Sequence, residues 1–365
     1  MLTKADEYPI HQRPEPIATA GSDRNFYDRY FLNGYAPDGS TFFAAALGVY
    51  PHLAVMDAAF CVNTAAEQES VFASRLIPGG ERMDTQVDPI AIEVIEPLKS
   101  IRLTVTGKDG DLAADLTMTQ RADPIEEPRF TYRVGTRTIM DVTRLTQSAQ
   151  WSGWLLKDGE RIDVDGWWGT RDRSWGVRPI GAADAQPPAD PKGFQFYWLW
   201  SPLNFPDHAF FWHTNDDAAG KPWNRAGRLV DLKSGEVTEL NLAQTLTFKP
   251  GTRNAATARF EGVGEDSGVS VELDLGRNFF MHGIGYGHPS RGHGSFHGPH
   301  SVHREKHSLP DVDLANPGNV HVQALASATL TLADGAETKG RGVLEQLYIG
   351  PHAPSGFTDM FDLAG

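Results

Sequence analysis

Asp165-Gly166-Trp167-Trp168-Gly169-Thr170-Arg171-Asp172-Arg173-Ser174-Trp175-Gly176-Val177-Arg178 sets three tryptophans around one carboxylate in a run that alternates as a strand does. Successive strand side chains point to opposite faces. Trp168, Thr170, Asp172 and Ser174 therefore share one face, and Arg171, Arg173 and Trp175 share the other. A carboxylate among bulky aromatics suits a site that protonates or orients an apolar substrate. The same pattern suits a structural aspartate held by hydrogen bonds, with tryptophans that only fill a barrel. The residues alone leave both readings open.

Outward from this run, the chain keeps the habits of short strands and tight turns. Residues 26–35 lead into Pro37-Asp38-Gly39-Ser40 and return over 41–50, a hairpin. Strands are expected over 55–62, 91–94, 100–106, 112–119, 138–146, 151–157 and 161–164, punctuated by Pro78-Gly79-Gly80, Glu96-Pro97, Lys108-Asp109-Gly110-Asp111 and Asp158-Gly159. A second set follows over 194–200, 208–213, 240–248, 256–260, 269–275, 320–332 and 342–349. No stretch keeps an apolar period of 3.6 residues over three turns, and no short repeat points to a solenoid or propeller. Between the sets, Ala182-Ala183-Asp184-Ala185-Gln186-Pro187-Pro188-Ala189-Asp190-Pro191 breaks the pattern. The expected organisation is an N-terminal surface arm over 1–22, a β domain over 23–181, a Pro/Ala linker over 182–191 and a second β domain over 192–365.

At 365 residues the chain can build full-sized cores. Its 33 basic against 47 acidic residues, a net charge of −14, argue against binding nucleic acid through phosphates. The single cysteine, Cys61, rules out an internal disulfide and favours a cytoplasmic location. No apolar window reaches membrane-spanning length. The motifs for nucleotide binding and acyl-enzyme chemistry are missing.

Gly169-Thr170-Arg171-Asp172-Arg173-Ser174-Trp175-Gly176 resembles a Gly-x-Arg-Asp-His-Ser-Trp-Gly signature carried by a bacterial branch of the AttH/CrtC superfamily. That superfamily includes carotenoid 1,2-hydratases and fungal cyclases that accelerate Diels–Alder reactions. Residues 95–102, and Gly283-Ile284-Gly285-Tyr286-Gly287-His288-Pro289 with Gly292-His293-Gly294, carry weaker echoes. The resemblance implies an all-β chain of two tandem lipocalin-like antiparallel barrels with few short helices. It also implies an apolar small-molecule ligand, no cofactor, and Asp172 as the proton-donating carboxylate. Arg173 departs from the pattern where relatives commonly have His, which puts in doubt any proton relay through that position.

The leading expectation is thus a cofactor-free lyase/hydratase or isomerase/cyclase acting on a terpenoid, steroid or aromatic compound. Asp172, Tyr286, His288 and His293 are its candidate catalytic residues. Trp168, Trp175, Tyr197, Trp198, Trp200 and His213 would shape the substrate site, their π faces steadying positive charge. One alternative is a lipocalin-like carrier without chemistry, since both need the same cavity. Another is a metalloenzyme using the loop 282–307, where seven histidines gather: His282, His288, His293, His297, His300, His303 and His307. Gly292, Gly294 and Gly298 oppose a helix that would align His293 with His297, so no metal ligand is assigned, and His297 to His307 read as a solvated loop. Partners beyond the small molecule are not indicated, and a homodimer is allowed.

Overall fold

The computed structural model describes residues 3–9, 23–108, 111–186, 189 and 193–365, and among them there is no α-helix, only short 3₁₀ turns. The fold is all-β, two lipocalin-like antiparallel sheets in tandem, each curled as a half-barrel. No described helix is long and apolar enough to cross a membrane. Two compact units divide the chain: Met1–Asp190 with His282–Pro310, and Pro191–Met281 with Asp311–Gly365. The segment 282–310, read from sequence as part of the second β domain, belongs by its contacts to the first unit. Its strand, His300–Ser308, pairs antiparallel with Glu67–Leu76.

From that edge the first unit's sheet continues through Val55–Asn63, Phe42–Tyr50, Phe26–Tyr35, Trp167–Val177, Arg137–Lys157, Ala113–Gln120, Ser100–Val105 and Ile90–Glu96 to Gln86–Val87. One face of these strands supplies the core, with Leu32, Phe43, Phe60, Leu103, Leu116 and Trp151 almost wholly buried. In the second unit the long neighbours are Pro222–Asp231, His208–Asp216, Phe196–Asn204, Glu337–Ile349, Val322–Thr331 and Ser270–Phe280. Leu199, Trp212, Phe260, Leu273 and Leu344 pack its core.

Register places the tryptophan-rich strand. Arg171 lies opposite Leu32 and Arg173 opposite Tyr30, so both arginines share the core-facing side. Each meets a carboxylate there: Arg171 lies 2.6 Å from Glu7, and Arg173 2.6 Å from Asp28. The backbone N–H of Leu98 also donates to Glu7 (2.8 Å), and Tyr30 donates its hydroxyl proton to the Glu7 carbonyl (2.5 Å). Burial pushes the Glu7 carboxyl up and the Arg171 guanidinium down, each opposed by the other's charge. Within the expected surface arm, residue 7 is therefore fully buried; residues 10–22 of that arm lie outside the described residues.

Gly169 has a steric reason to be glycine. Trp151 donates its indole N–H to the Asn33 carbonyl (2.8 Å), and a Cβ on Gly169 would overlap both that oxygen and the indole nitrogen. Gly169→Ala is expected to cost about 1–3 kcal/mol in a denaturant titration. Glu7→Ala, which strands a buried guanidinium, is expected to cost about 3–5 kcal/mol in the same measurement. A Glu7→Ala chain as stable as wild type would show that the pair is not needed.

Candidate functional site

Each unit carries polar groups on the sheet face turned away from its apolar core. In the first unit Asp172 lies opposite Phe31 and Thr146, on the side of Trp168, Thr170 and Ser174. It is half-buried. Burial raises the Tyr27 phenol, and the charge of Asp172 adds to that rise, which places the two side chains in the same neighbourhood. The arginines that flank Asp172 in sequence point to the other side, toward Glu7 and Asp28. Trp168 carries the Arg121 guanidinium 4.4 Å above its ring, whereas Trp175 goes to the arginine face, so these two tryptophans do not wall one space.

Tyr286 and His293 are brought together, ring centroids 4.3 Å apart and edge to face. Arg178 lies over Tyr27 (4.3 Å) and Tyr286 (5.3 Å) and donates to His293 Nδ1 at 2.8 Å. A guanidinium only donates, so Nδ1 accepts and Nε2 gives its proton to the Ile284 carbonyl at 3.2 Å. Arg29 donates to that carbonyl (2.9 Å) and to the Tyr50 hydroxyl (3.0 Å), which in turn donates to Asp57 (3.0 Å). Asp57 also accepts the Gly294 N–H at 2.7 Å; burial pushes its carboxyl up against the pull of Arg29. Gly294 has φ 74°, and a Cβ there would stand 2.9 Å from Leu53 and 3.1 Å from Tyr50, so glycine lets the loop lie on the strands. The adjoining cavity, lined in part by Arg29, Asp57, Phe72, Ile284 and His293, has about 20 Å³ of free space. That is room for water rather than for a polycyclic ligand.

His288 stands apart from this pair. Its Nδ1 accepts the N–H groups of Ser290 (3.1 Å) and Arg291 (2.8 Å), which leaves the Nε2 proton for Glu305, 3.2 Å from both oxygens. Both ring nitrogens are thus engaged in holding structure. The segment expected to be a solvated histidine loop is in part a strand, on which His303, Glu305 and His307 share a face. His307 Nε2 lies 3.1 Å and His303 Nε2 3.5 Å from the Glu305 carboxylate, and the His282 ring meets that of His307 edge to face at 4.9 Å. Burial would raise Glu305, but the hydrogen bonds from His288 and His307 outweigh it and hold the carboxyl at about 2.

In the second unit, Tyr197 departs from its expected role. It points into the core, stacked on His352 at 3.8 Å and against Tyr348 at 4.9 Å. Trp198 and Trp200 take the opposite face, which His213 shares through its pairing with Trp200. His213 Nε2 bonds Asn224 at 2.6 Å, and its ring lies 5.8 Å from Trp198. On that face sits a carboxylate the sequence reading missed. Glu345, opposite Trp200, accepts from the Trp198 indole (3.0 Å), from Gln323 (2.7 Å) and from His321 Nε2 (2.9 Å). Burial pushes its carboxyl up, yet His321, Gln323 and Trp198 together hold it below the ordinary value. No local motif marks this cluster. The available signal was weak: His321, Gln323 and Glu345 stand beside the apolar residues Val320, Val322, Ala324 and Leu344.

A profile described as a family of unknown function (DUF8625) matches residues 2–358. No curated protein sequence matches the chain. Among solved structures, the fold is similar to a putative AttH from Nitrosomonas europaea (15% identity, TM-score 0.55), covering 89% of this chain and 94% of that one. It is also similar to kievitone hydratase from Nectria haematococca (12% identity, TM-score 0.50), covering 95% and 93%. These likenesses establish the fold.

Because the Glu345 carboxyl is depressed on folding, the stability it contributes is full above its unfolded value of 4.5 and is lost as pH falls toward the folded one. Glu345→Gln is expected to lose less stability than wild type between about pH 5 and pH 3, read by tryptophan fluorescence in urea. Parallel pH profiles would show that the hydrogen bonds to Glu345 do not favour its ionised form.

Proposed function

The chain belongs to the family of unknown function DUF8625, and from that premise we propose that it is an enzyme handling protons on an apolar small molecule, by hydration, elimination, isomerisation or cyclisation. The observation that carries this reading is the buried Glu345 carboxylate, held by His321, Gln323 and the Trp198 indole on a face that also presents Trp200. A carboxylate bonded to an imidazole fixes the ring's orientation and steadies its charged form, the pairing used to move a proton. Trp198 and Trp200 supply apolar surface and π faces that favour a substrate developing positive charge. His213, turned to the same side, is the polar group best placed to orient such a ligand there. One structural neighbour is a hydratase by name, which supports water addition or loss as the first chemistry to assay.

In the first unit, Asp172 remains the candidate carboxylate, with Tyr286 and His293 as a hydrogen-bonded support nearby. His293 acts there as a positioning group, since its Nδ1 and Nε2 bond Arg178 and Ile284. His288, engaged at both nitrogens, is assigned to holding Glu305 rather than to chemistry. Arg171 and Arg173 take no part in the proton step; they belong to the core network.

The test begins with ligand discovery. Terpenoid, steroid and polyphenol panels are screened by quenching of tryptophan fluorescence, and ligands that bind are incubated with the protein and followed by mass spectrometry for gain or loss of water or for isomers. Glu345→Gln and His321→Gln are each expected to lower turnover at least ~100-fold with binding retained. Asp172→Asn, in the same assay, tests the first unit's carboxylate by itself. Binding without turnover in wild type would instead establish a carrier, and turnover unaffected by Glu345→Gln would remove the proposed role of the pair.

A further inference from the structure

His282 leaves the chain in the turn Met281–Ile284, at the start of the segment 282–310, and Glu305 and His307 lie on the strand near its end. Alternation puts Glu305 and His307 on one face of that strand, two residues apart. One nitrogen or oxygen from each of His282, Glu305 and His307 lies within 4.8 Å of the others. We propose that these three side chains form a binding site for one divalent transition-metal ion of the zinc or iron class.

The chemistry of the donor set fits. Two imidazoles and a carboxylate are the protein ligands of several zinc enzymes and of the facial triad that holds Fe(II), and both leave coordination positions to water. Metal bonds of about 2.0–2.2 Å put the ligand atoms of one tetrahedral ion about 3.3–3.5 Å apart. His307 Nε2 and Glu305 Oε1 are already 3.1 Å apart, so only a small approach by His282 is required. The carboxylate is also oriented as ligating carboxylates are. His288, locked by the N–H groups of Ser290 and Arg291, donates Nε2–H to Glu305 and fixes its plane. His307 is 42% exposed, which gives an ion a path in, and His303, 3.5 Å from Glu305, stands by as a further donor.

A second acidic group in the same unit sharpens the contrast. Glu67, Glu69 and Asp158 also converge, but the ammonium groups of Lys157 and Lys306 occupy the space among them, at 2.5 Å from Glu67 and 2.7 Å from Asp158. Among the described residues, the salt-bridge partners of Glu305 are histidines, His288, His303 and His307. Imidazole, unlike ammonium, gives up its proton to a metal ion at neutral pH. An ion held here would clasp both ends of the segment 282–310 and so pin the edge strand of the first unit's sheet.

The full chain, without an affinity tag, is stripped with EDTA, incubated with Zn²⁺, passed through a desalting column and analysed for bound zinc. Wild type is expected to retain about one ion per chain and to melt at higher temperature with it. Glu305→Gln, His307→Ala and His282→Ala are each expected to bind at least ~100-fold more weakly in competition with a chromophoric chelator, whereas His297→Ala binds as wild type does. Co²⁺ loaded in place of zinc is expected to give visible absorption bands in wild type that His307→Ala lacks. Wild type that retains no stoichiometric zinc, or zinc lost equally from all four variants, or kept equally by all four, would overturn the assignment.

Discussion

Two guanidinium groups, Arg171 and Arg173, lie inside an apolar curl of sheet, and the first unit is arranged around neutralising them. Desolvating one charge is expensive, and neither arginine tolerates its neighbours unless an anion is brought to it. Asp28 comes from the adjacent strand, but Glu7 is drawn in from the N-terminal stretch, and with it Tyr8, whose carbonyl accepts from Arg173 at 3.0 Å. The opposite face of the same strand follows from this choice. With the arginines committed inward, the register turns Asp172 away from the core.

The alternation that fixed those faces was readable from the sequence, and so was the all-β class, because Gly and Pro punctuate the apolar runs so regularly. The hairpin at 26–50 and the separation of Trp168 from Trp175 follow from the same period-two rule. What stayed hidden depends on contacts far apart in the chain. Nothing near Glu7 announces Arg171, and nothing near Glu345 announces His321 or Trp198, since each partnership is made by strand pairing. Tyr197 shows the converse. It sits in an aromatic run, Phe196 to Trp200, that looks uniform in sequence, yet alternation sends it to the core while Trp198 and Trp200 go to the other side. Counting from a core residue such as Leu199 would have separated them.

The signature motif, too, divides on inspection of what each residue touches. Gly169 is there because Trp151 and Asn33 leave no room for a side chain, and Arg171 because Glu7 must be paired. Gly169, Arg171 and Arg173 are thus accounted for by the architecture of one sheet. A buried carboxylate beside an indole does occur at Glu345 in the second unit, where the hydrogen bonds favour its ionised form.

The passage of 282–310 out of one unit's sequence and into the other unit's sheet bears on how this protein can be dissected. A gene cut at the linker near 190 yields a leading fragment that ends its sheet on Glu67–Leu76, with a full row of backbone donors and acceptors uncovered. Such a bare edge invites pairing with any extended peptide, including another copy of the fragment. The two halves are therefore not interchangeable modules, and any lineage that recombined them by simple shuffling would have had to carry this borrowed strand along.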